Sequence, residues 1–503
     1  MTPPLPDYDF GDTPLRLDRA GMFRQLRELF LRVGFTAEGM EKAFGFKESA
    51  VKTNVQLTLA RMRLGRGTPQ ANMVLLFRFG ATLTHQEAQT AFAPLGLEPF
   101  TEAGLLKLHA DGQVSSPFAV DIYDGMYCLY DRIAHPTFNN NVLGISVAAT
   151  TVAEFTIRQR VERGVDLGTG NGILALLAAR HCKQVIGTDI NARALNLARI
   201  NAQINGLENV EFRQGSWWDP VEGEEFDLIV CNPPYVISPE SRFMFRDSGL
   251  EGDGVTRMLA ETIPGHLRDG GTATTTGNWS CTPEAWDEAP RQWLTGKGVD
   301  ALILMGGIVD PLEYAIRWVT VQEKHGSQAE LENTVHAWLN YYHRQRIPAI
   351  ASGAFVLRKQ SRFEPELRAL AVDPGPCLPC GPALERFFRL QDQFRSFTGV
   401  EDILRRRFRP AAGHHLEQFH QFNDGHYQVL RCQLRADGPR FVEQLATDAL
   451  QFFLSFDGQR TLRDTLQMVA EAHKVPLDAT LASGMEMLRG WLERGFLEPV
   501  DRS

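Results

Sequence analysis

The sequence predicts an α/β fold in which a mainly parallel, wound sheet occupies the middle of the chain, with a mainly helical region before it and a small module after it. Residues 164–172 (GVDLGTGNG) read as a short buried strand that breaks into a glycine turn and opens a helix at 173–180. A second apolar strand at 184–190 closes on Asp189. A third apolar run ends in Ile229-Val230-Cys231-Asn232-Pro233-Pro234-Tyr235. At 503 residues the chain exceeds one hydrophobic core, and about three domains are expected.

The first domain is expected over 1–135. Residues 15–33 place Met22, Leu26, Phe30 and Val33 at helical spacing, and Gly34-Phe35-Thr36 restarts a helix with Thr36 as its N-cap. Thr84 followed by Glu87 has the spacing of a capping box. Residues 105–113 and 118–130 alternate like strands, which makes the region winged-helix-like. A unit that presents the substrate and one that covers the sheet edge are equally compatible with this pattern.

The central domain is expected over 136–362. Glycines in 168–172 let the backbone approach a ligand closely, and Asp189, about 20 residues on, stands where an acid bonds ribose hydroxyls. The turn lacks the glycine spacing of the dinucleotide fingerprint. A helix at 191–205 and a strand at 209–215 follow.

In Asn232-Pro233-Pro234-Tyr235, the Asn232 side-chain oxygen and the Pro233 carbonyl are two acceptors suited to one NH2 group. Binding both N–H groups localises the nitrogen lone pair and aims it at an electrophile. The prolines lack N–H groups and stiffen the turn, and Tyr235 can lie on a planar acceptor.

Together these motifs resemble the class I S-adenosylmethionine-dependent methyltransferases over residues 140–360. The continuation 246–257 (RDSGLEGDGVTR) and Leu267-Arg268-Asp269-Gly270-Gly271 make the chain most similar to the HemK/PrmC-type glutamine N5-methyltransferases of the Asn-Pro-Pro-Tyr branch. The resemblance implies a seven-stranded Rossmann-like sheet whose last strand pair is antiparallel. It implies S-adenosyl-L-methionine as cofactor, held by Asp166, Gly168, Thr169, Gly170, Asp189, Ile190, Ser216, Trp217 and Asn232, with Asp189 on the ribose and Ser216 and Trp217 near the adenine. Asn232, Pro233 and Tyr235 are the catalytic set it implies, acting on a planar amino group. A glutamine or asparagine amide in a protein or peptide is favoured. The same branch contains adenine-N6 and guanine-N2 methyltransferases of RNA or DNA, so nucleic acid stays open as a partner. A catalytically silent cofactor-binding scaffold is a further alternative.

Strands are expected at 272–277, 300–305 and 347–358, a crossover helix at 310–321, and an extra helix at 323–345 whose Trp338, Tyr341 and Tyr342 read as core. Residues 363–412 are expected as a linker. Residues 413–503 should form a winged-helix-like domain, with Thr461 and Asp464 capping one helix, a helix at 477–495 and a strand at 496–500. FDGQRTLRDTL and GWLERGFLEP in this stretch are similar to PqqD-like peptide-binding modules, which implies a protein-facing or dimerising role.

A formal net charge of −9 disfavours a whole-protein grip on nucleic acid, and the basic runs at 49–68 (Lys52, Arg61, Arg63, Arg66) and 405–409 read as solvated faces. Seven scattered cysteines argue against a disulfide framework, and Cys377 and Cys380 read as incidental residues of a Pro/Gly-rich linker, with no metal expected. Without an apolar leader or a run of about 18 apolar residues, the chain is expected in the cytoplasm, with no membrane contact. The oligomeric state is not legible.

Overall fold

The computed structural model describes residues 20–47, 54–132, 140–239, 246, 249–322, 327–372, 379–438 and 441–500. At its centre is one sheet made of β1 (Val161–Leu167), β2 (Cys182–Asp189), β3 (Val210–Gln214), β4 (Phe226–Cys231), β5 (Leu267–Cys281), β6 (Val299–Val309), β7 (Ala349–Lys359) and β8 (Leu367–Ala371). Their order is β3-β2-β1-β4-β5-β7-β6-β8. β7 runs antiparallel to both of its neighbours and every other pair is parallel.

The sheet has eight strands, not the expected seven. The additional β8 pairs Leu367–Ala371 against Ala301–Met305 and covers what would be the open edge of β6. Its five residues, LRALA, are too short and too mixed to announce a strand; the exposed edge beside them supplies the reason to form one. The expected linker at 363–412 thus begins inside the sheet, and it continues into the helix Gly381–Arg395, whose Leu384, Phe387 and Phe388 pack into a core shared with Leu302, Leu304, Ala354 and Val356. Cys380 is 1% exposed at the start of that helix, while Cys377 lies outside the described residues.

Successive strand residues face opposite sides. On one face Val165, Leu167, Ile229, Cys231 and Ala273 pack against Val255 and Leu259 of the helix Gly254–Thr262. On the other, Val185, Leu228 and Val230 pack against the helices Val147–Phe155, Ile173–Ala178 and Ala192–Ile204.

In the N-terminal region Thr36 caps Ala37–Phe44, and Thr84 and Glu87 form a complete capping box. The strand expected at 105–113 is interrupted: Lys107–Leu108 and Gln113–Ser115 pair across a turn in which Gly112 N–H bonds the His109 carbonyl and Asp111 accepts the Gln113 N–H. Alternation had masked this Asp-Gly turn signal. Residues 118–130 fold as a hairpin, Phe118–Tyr123 with Met126–Asp131, turning at Asp124-Gly125, where both residues have positive φ.

Two asparagines of Ala192–Ile204 and its C-cap dock this hairpin. Asn201 accepts the Leu129 N–H at 2.8 Å and donates to the carbonyls of Leu129 and Asn171. Asn205 accepts the Tyr127 N–H and donates to the Tyr127 carbonyl. Each carboxamide mimics a strand residue, and Ala194, Leu197, Ile200 and Ile204 of the same helix complete the N-terminal core.

The expected winged-helix-like module at 413–503 contains a long antiparallel hairpin that the expectation lacked, His414–Asn423 with His426–Ala436, its outer half exposed. Helices Thr447–Leu454, Leu462–His473 and Leu477–Glu493 follow, and Leu497–Pro499 pairs with Phe408–Pro410. Ion pairs in which Asp300, fully buried, accepts from Arg358 and Arg395 tie the helix Gly381–Arg395 to the sheet, and Arg489 and Glu493 of Leu477–Glu493 pair with Glu366 and Arg368 at the start of β8. Among the described residues no helix is long and apolar enough to cross a membrane.

Candidate active site

The three motif strands bring their carboxyl ends together at the centre of the sheet, where the chain direction of winding reverses between β1 and β4. Asp166 is paired with Val230, and Val230 with Thr274, so the three side chains share one face. Two residues further along, Asn232 follows β4 on that same face, about 7 Å beyond the level of Asp166 by strand geometry. A carboxylate and a carboxamide therefore stand on adjacent central strands and face the same side.

Asp166 is fully buried. Its Oδ2 accepts the Thr169 hydroxyl at 2.6 Å and the Ala175 N–H at 3.0 Å, whereas Oδ1 has no partner. Burial pushes this carboxyl up to about 7. A buried, half-satisfied carboxylate is costly unless a cationic or donor group completes it. Thr169 is 5% exposed and its hydroxyl is committed to Asp166, so it acts on the site through that carboxylate.

Gly168 and Gly170 have φ of +70° and +54°, and a Cβ at either would meet no atom within 4 Å, so the turn borders open space. Asp189 Oδ2 accepts the Gly170 N–H at 2.9 Å and Oδ1 the Asn191 N–H at 2.8 Å, each oxygen keeping a lone pair for a further donor. Burial raises the Asp189 carboxyl above its ordinary value against the pull of those N–H groups. Beside it Ile190 is 37% exposed, an apolar surface next to an acid. Ser216 and Trp217 are half-buried past β3, and Trp217 has a φ of 48°, which turns the chain there.

At the other end Asn232 is half-buried and Pro233 buried. Asn232 Oδ1 accepts the Thr276 hydroxyl at 3.1 Å, and among the described residues nothing donates to the Pro233 carbonyl. Tyr235 lies between two apolar clusters, one under the sheet and one formed by the helices Pro311–Gln322 and Gln328–Gln345, and burial pushes its hydroxyl up to about 12. Trp338, Tyr341 and Tyr342 are buried in the second cluster.

Sequence reasoning missed Thr276, Asn278 and Tyr314, and read Tyr342 only as core. Tyr314 accepts the Ile237 N–H at 3.2 Å and bonds Asn278 at 2.6 Å, and Tyr342 donates to the Ile237 carbonyl at 2.9 Å. None is close to the motif in sequence. A polar residue at the carboxyl end of a strand was the one signal available.

The strand–turn–helix order, the two acids and the Asn-Pro-Pro-Tyr turn occupy one contiguous stretch. Residues 147–272 match the methyltransferase small domain family. The match spans β1 to β4 and reaches the paired part of β5. Residues 32–116 match a domain of unknown function, DUF7059. The chain is similar to a release factor glutamine methyltransferase of Xylella fastidiosa, with 38% identity over 159 residues, 29% of this chain and 53% of that protein. A release factor glutamine methyltransferase of Aliivibrio fischeri is 51% identical over 100 residues, 19% of this chain and 34% of that one. A ribosomal protein uL3 glutamine methyltransferase of Bradyrhizobium diazoefficiens is 38% identical over 149 residues, 27% and 47% of the two chains. The chain thus spans a third to a half of the length of these curated relatives.

Proposed function

We propose that this chain transfers a methyl group from S-adenosyl-L-methionine to the side-chain amide nitrogen of a glutamine in a protein. The observation that carries the reading is the same-face placement of Asp166 and Asn232 on adjacent strands, one end suited to a cationic cofactor group and the other to a neutral NH2. The unpartnered Asp166 Oδ1 and the open space beside Gly168 and Gly170 fit the cofactor. The glutamine-modifying relatives favour an amide as the acceptor.

When bound, the cofactor supplies a methyl group on a sulfonium centre, which needs no metal to activate it. Asp166, ionised, holds the cofactor's ammonium on Oδ1 while Thr169 and the Ala175 N–H fix Oδ2. Asp189 takes the ribose hydroxyls, and Ile190, Ser216 and Trp217 border the adenine. Asn232 Oδ1 and the Pro233 carbonyl each accept one N–H of the acceptor amide, which orients the nitrogen and holds its lone pair out of conjugation. As the sulfonium–methyl bond breaks to leave a neutral thioether, the nitrogen gains positive charge and both hydrogen bonds strengthen, so their contribution is largest in the transition state; the methylated nitrogen then returns to neutrality by losing one N–H proton to solvent. Tyr235 stacks on the amide plane.

The basic runs favour protein over nucleic acid as the partner. Arg61, Arg63 and Arg66 donate to the carbonyls of Phe79, Phe44 and Thr82, and Arg406 and Arg409 pair with Asp402 and Glu498. Each of these guanidinium groups has a partner within the fold. Lys52 lies outside the described residues.

The test is incubation of the protein with radiolabelled cofactor and cell extract, followed by parallel protease and nuclease digestion. Protease should release the acid-precipitable label, and hydrolysis-free mass spectrometry should place a methyl on a glutamine side chain. Release by nuclease alone would overturn the amide reading.

A further inference from the structure

We propose that Thr276 is a positioning residue for the acceptor: its hydroxyl fixes the rotation of the Asn232 carboxamide so that Oδ1 faces the incoming amide. The inference rests on the reading of Asn232 given above and adds a residue outside the motif.

The last torsion of an asparagine side chain is broad, because it joins an sp³ to an sp² centre, so Asn232 on its own would present oxygen and nitrogen over a wide arc. One hydrogen bond narrows that arc. Thr276 supplies it, at 3.1 Å, from a strand whose position is fixed on both sides: Thr275 pairs with Cys231 of β4, and Thr276 with Ala354 of β7. Threonine is β-branched and stiff at its first torsion, so the hydroxyl is held where the backbone puts it. Thr276 is 6% exposed, so its own hydroxyl is shielded from solvent, while Asn232 is half-buried and open to an acceptor. The oxygen has two lone pairs; Thr276 takes one and leaves the other for the acceptor N–H.

A second tie from the same face of β5 supports this role. Asn278, two residues on, bonds Tyr314, whose oxygen accepts the Ile237 N–H, and Tyr342 holds the Ile237 carbonyl. β5 therefore brackets the Asn-Pro-Pro-Tyr turn, directly at Asn232 and through Tyr314 two residues past Tyr235. The turn is fixed at both ends, and the freedom that remains at its start is the carboxamide rotation that Thr276 removes.

The test compares Thr276→Val and Thr276→Ser with the parent in full-length protein, using a glutamine-containing protein acceptor identified with the parent enzyme. Valine keeps the shape and β-branching but removes the donor; serine keeps the donor. Thr276→Val should lower kcat about tenfold, the worth of one oriented hydrogen bond, with the cofactor Kd and the acceptor KM within about twofold of the parent. Thr276→Ser should restore kcat to within about threefold. A parental kcat in Thr276→Val overturns the inference, as does a serine variant no better than valine, which would make the role one of packing. Loss of cofactor binding in Thr276→Val would also overturn it. These outcomes leave the reading of Asn232 standing, whereas a parent that methylates no protein acceptor removes that reading itself.

Discussion

The Asp189 carboxylate accepts the Gly170 N–H at 2.9 Å, so the acid that ends β2 also braces the glycine turn that ends β1. Asp189→Ala should therefore do two things. It should weaken S-adenosylmethionine about 10- to 100-fold, the worth of charge-assisted hydrogen bonds at roughly 1.5–3 kcal/mol. It should also speed hydrogen exchange at the Gly170 amide. Calorimetry and exchange mass spectrometry would check both, and equal calorimetric affinities would remove Asp189 from the site.

Asp166 sets a pH dependence. Its carboxyl sits at about 7 in the fold against an ordinary 3.8. The folded chain keeps a proton that the unfolded chain releases, so this group lowers stability progressively from about pH 4 to 7, and the full cost is present above that. Asp166→Asn keeps an acceptor for Thr169 and Ala175 and removes the titration. Without cofactor it should be more stable than the parent at pH 8, by up to about 4 kcal/mol, with the difference shrinking toward pH 4. In the parent, cofactor affinity should rise as pH approaches 7 and then level off as the carboxylate ionises; in Asp166→Asn it should be weak and flat. Urea melts and titration calorimetry at pH 5, 6, 7 and 8 would show either pattern.

Asn201→Leu tests the docking of the N-terminal hairpin. The substitution leaves the Leu129 N–H and the carbonyls of Leu129 and Asn171 without these partners. A loss of about 2–4 kcal/mol is expected in urea unfolding. A loss under about 0.5 kcal/mol would mean that apolar packing alone holds the unit.

Much of the candidate site was legible because its residues are contiguous: a glycine turn, an acid closing a strand and an Asn-Pro-Pro-Tyr turn announce themselves through local chemistry. The caps at Thr36, Thr84 and Thr461 were legible for the same reason. What was not legible depends on distant segments meeting. β8 forms because β6 has an open edge, and nothing within Leu367–Ala371 says so. Thr276 is an ordinary β-branched strand residue until β5 is placed beside β4. Asp111-Gly112 split one expected strand and Asp124-Gly125 another, since alternation continues across a tight turn. The outer half of the hairpin at 414–436 carries exposed apolar residues on both strands, including Phe422 and Tyr427, and of its apolar residues only Cys432, Leu434 and Ala436 at its inner end are buried, too short a stretch to mark it.

Tyr235 should serve through its ring. Tyr235→Phe is expected to change kcat and KM by less than about threefold, and Tyr235→Ala to raise the acceptor KM tenfold or so, the worth of an aromatic contact. Because burial pushes the hydroxyl up to about 12, no rate change between pH 7 and 10 should trace to this residue. A pH–rate profile that differs between parent and Tyr235→Phe in that window would assign the hydroxyl a role in proton transfer.

The most direct measurement is single-turnover methylation by Asn232→Ala with an authentic acceptor and saturating cofactor. The proposed cofactor contacts lie mainly on Asp166, the glycine turn, Asp189 and the loop at Ser216, while Asn232, at the cofactor's edge, faces the acceptor, so cofactor affinity should stay within a few-fold of the parent. The methyl-transfer rate should fall by two or more orders of magnitude, about 3–4 kcal/mol, the scale of a preorganised group that binds charge developing in the transition state. A parental single-turnover rate in Asn232→Ala would contradict the central claim that this carboxamide holds the acceptor nitrogen.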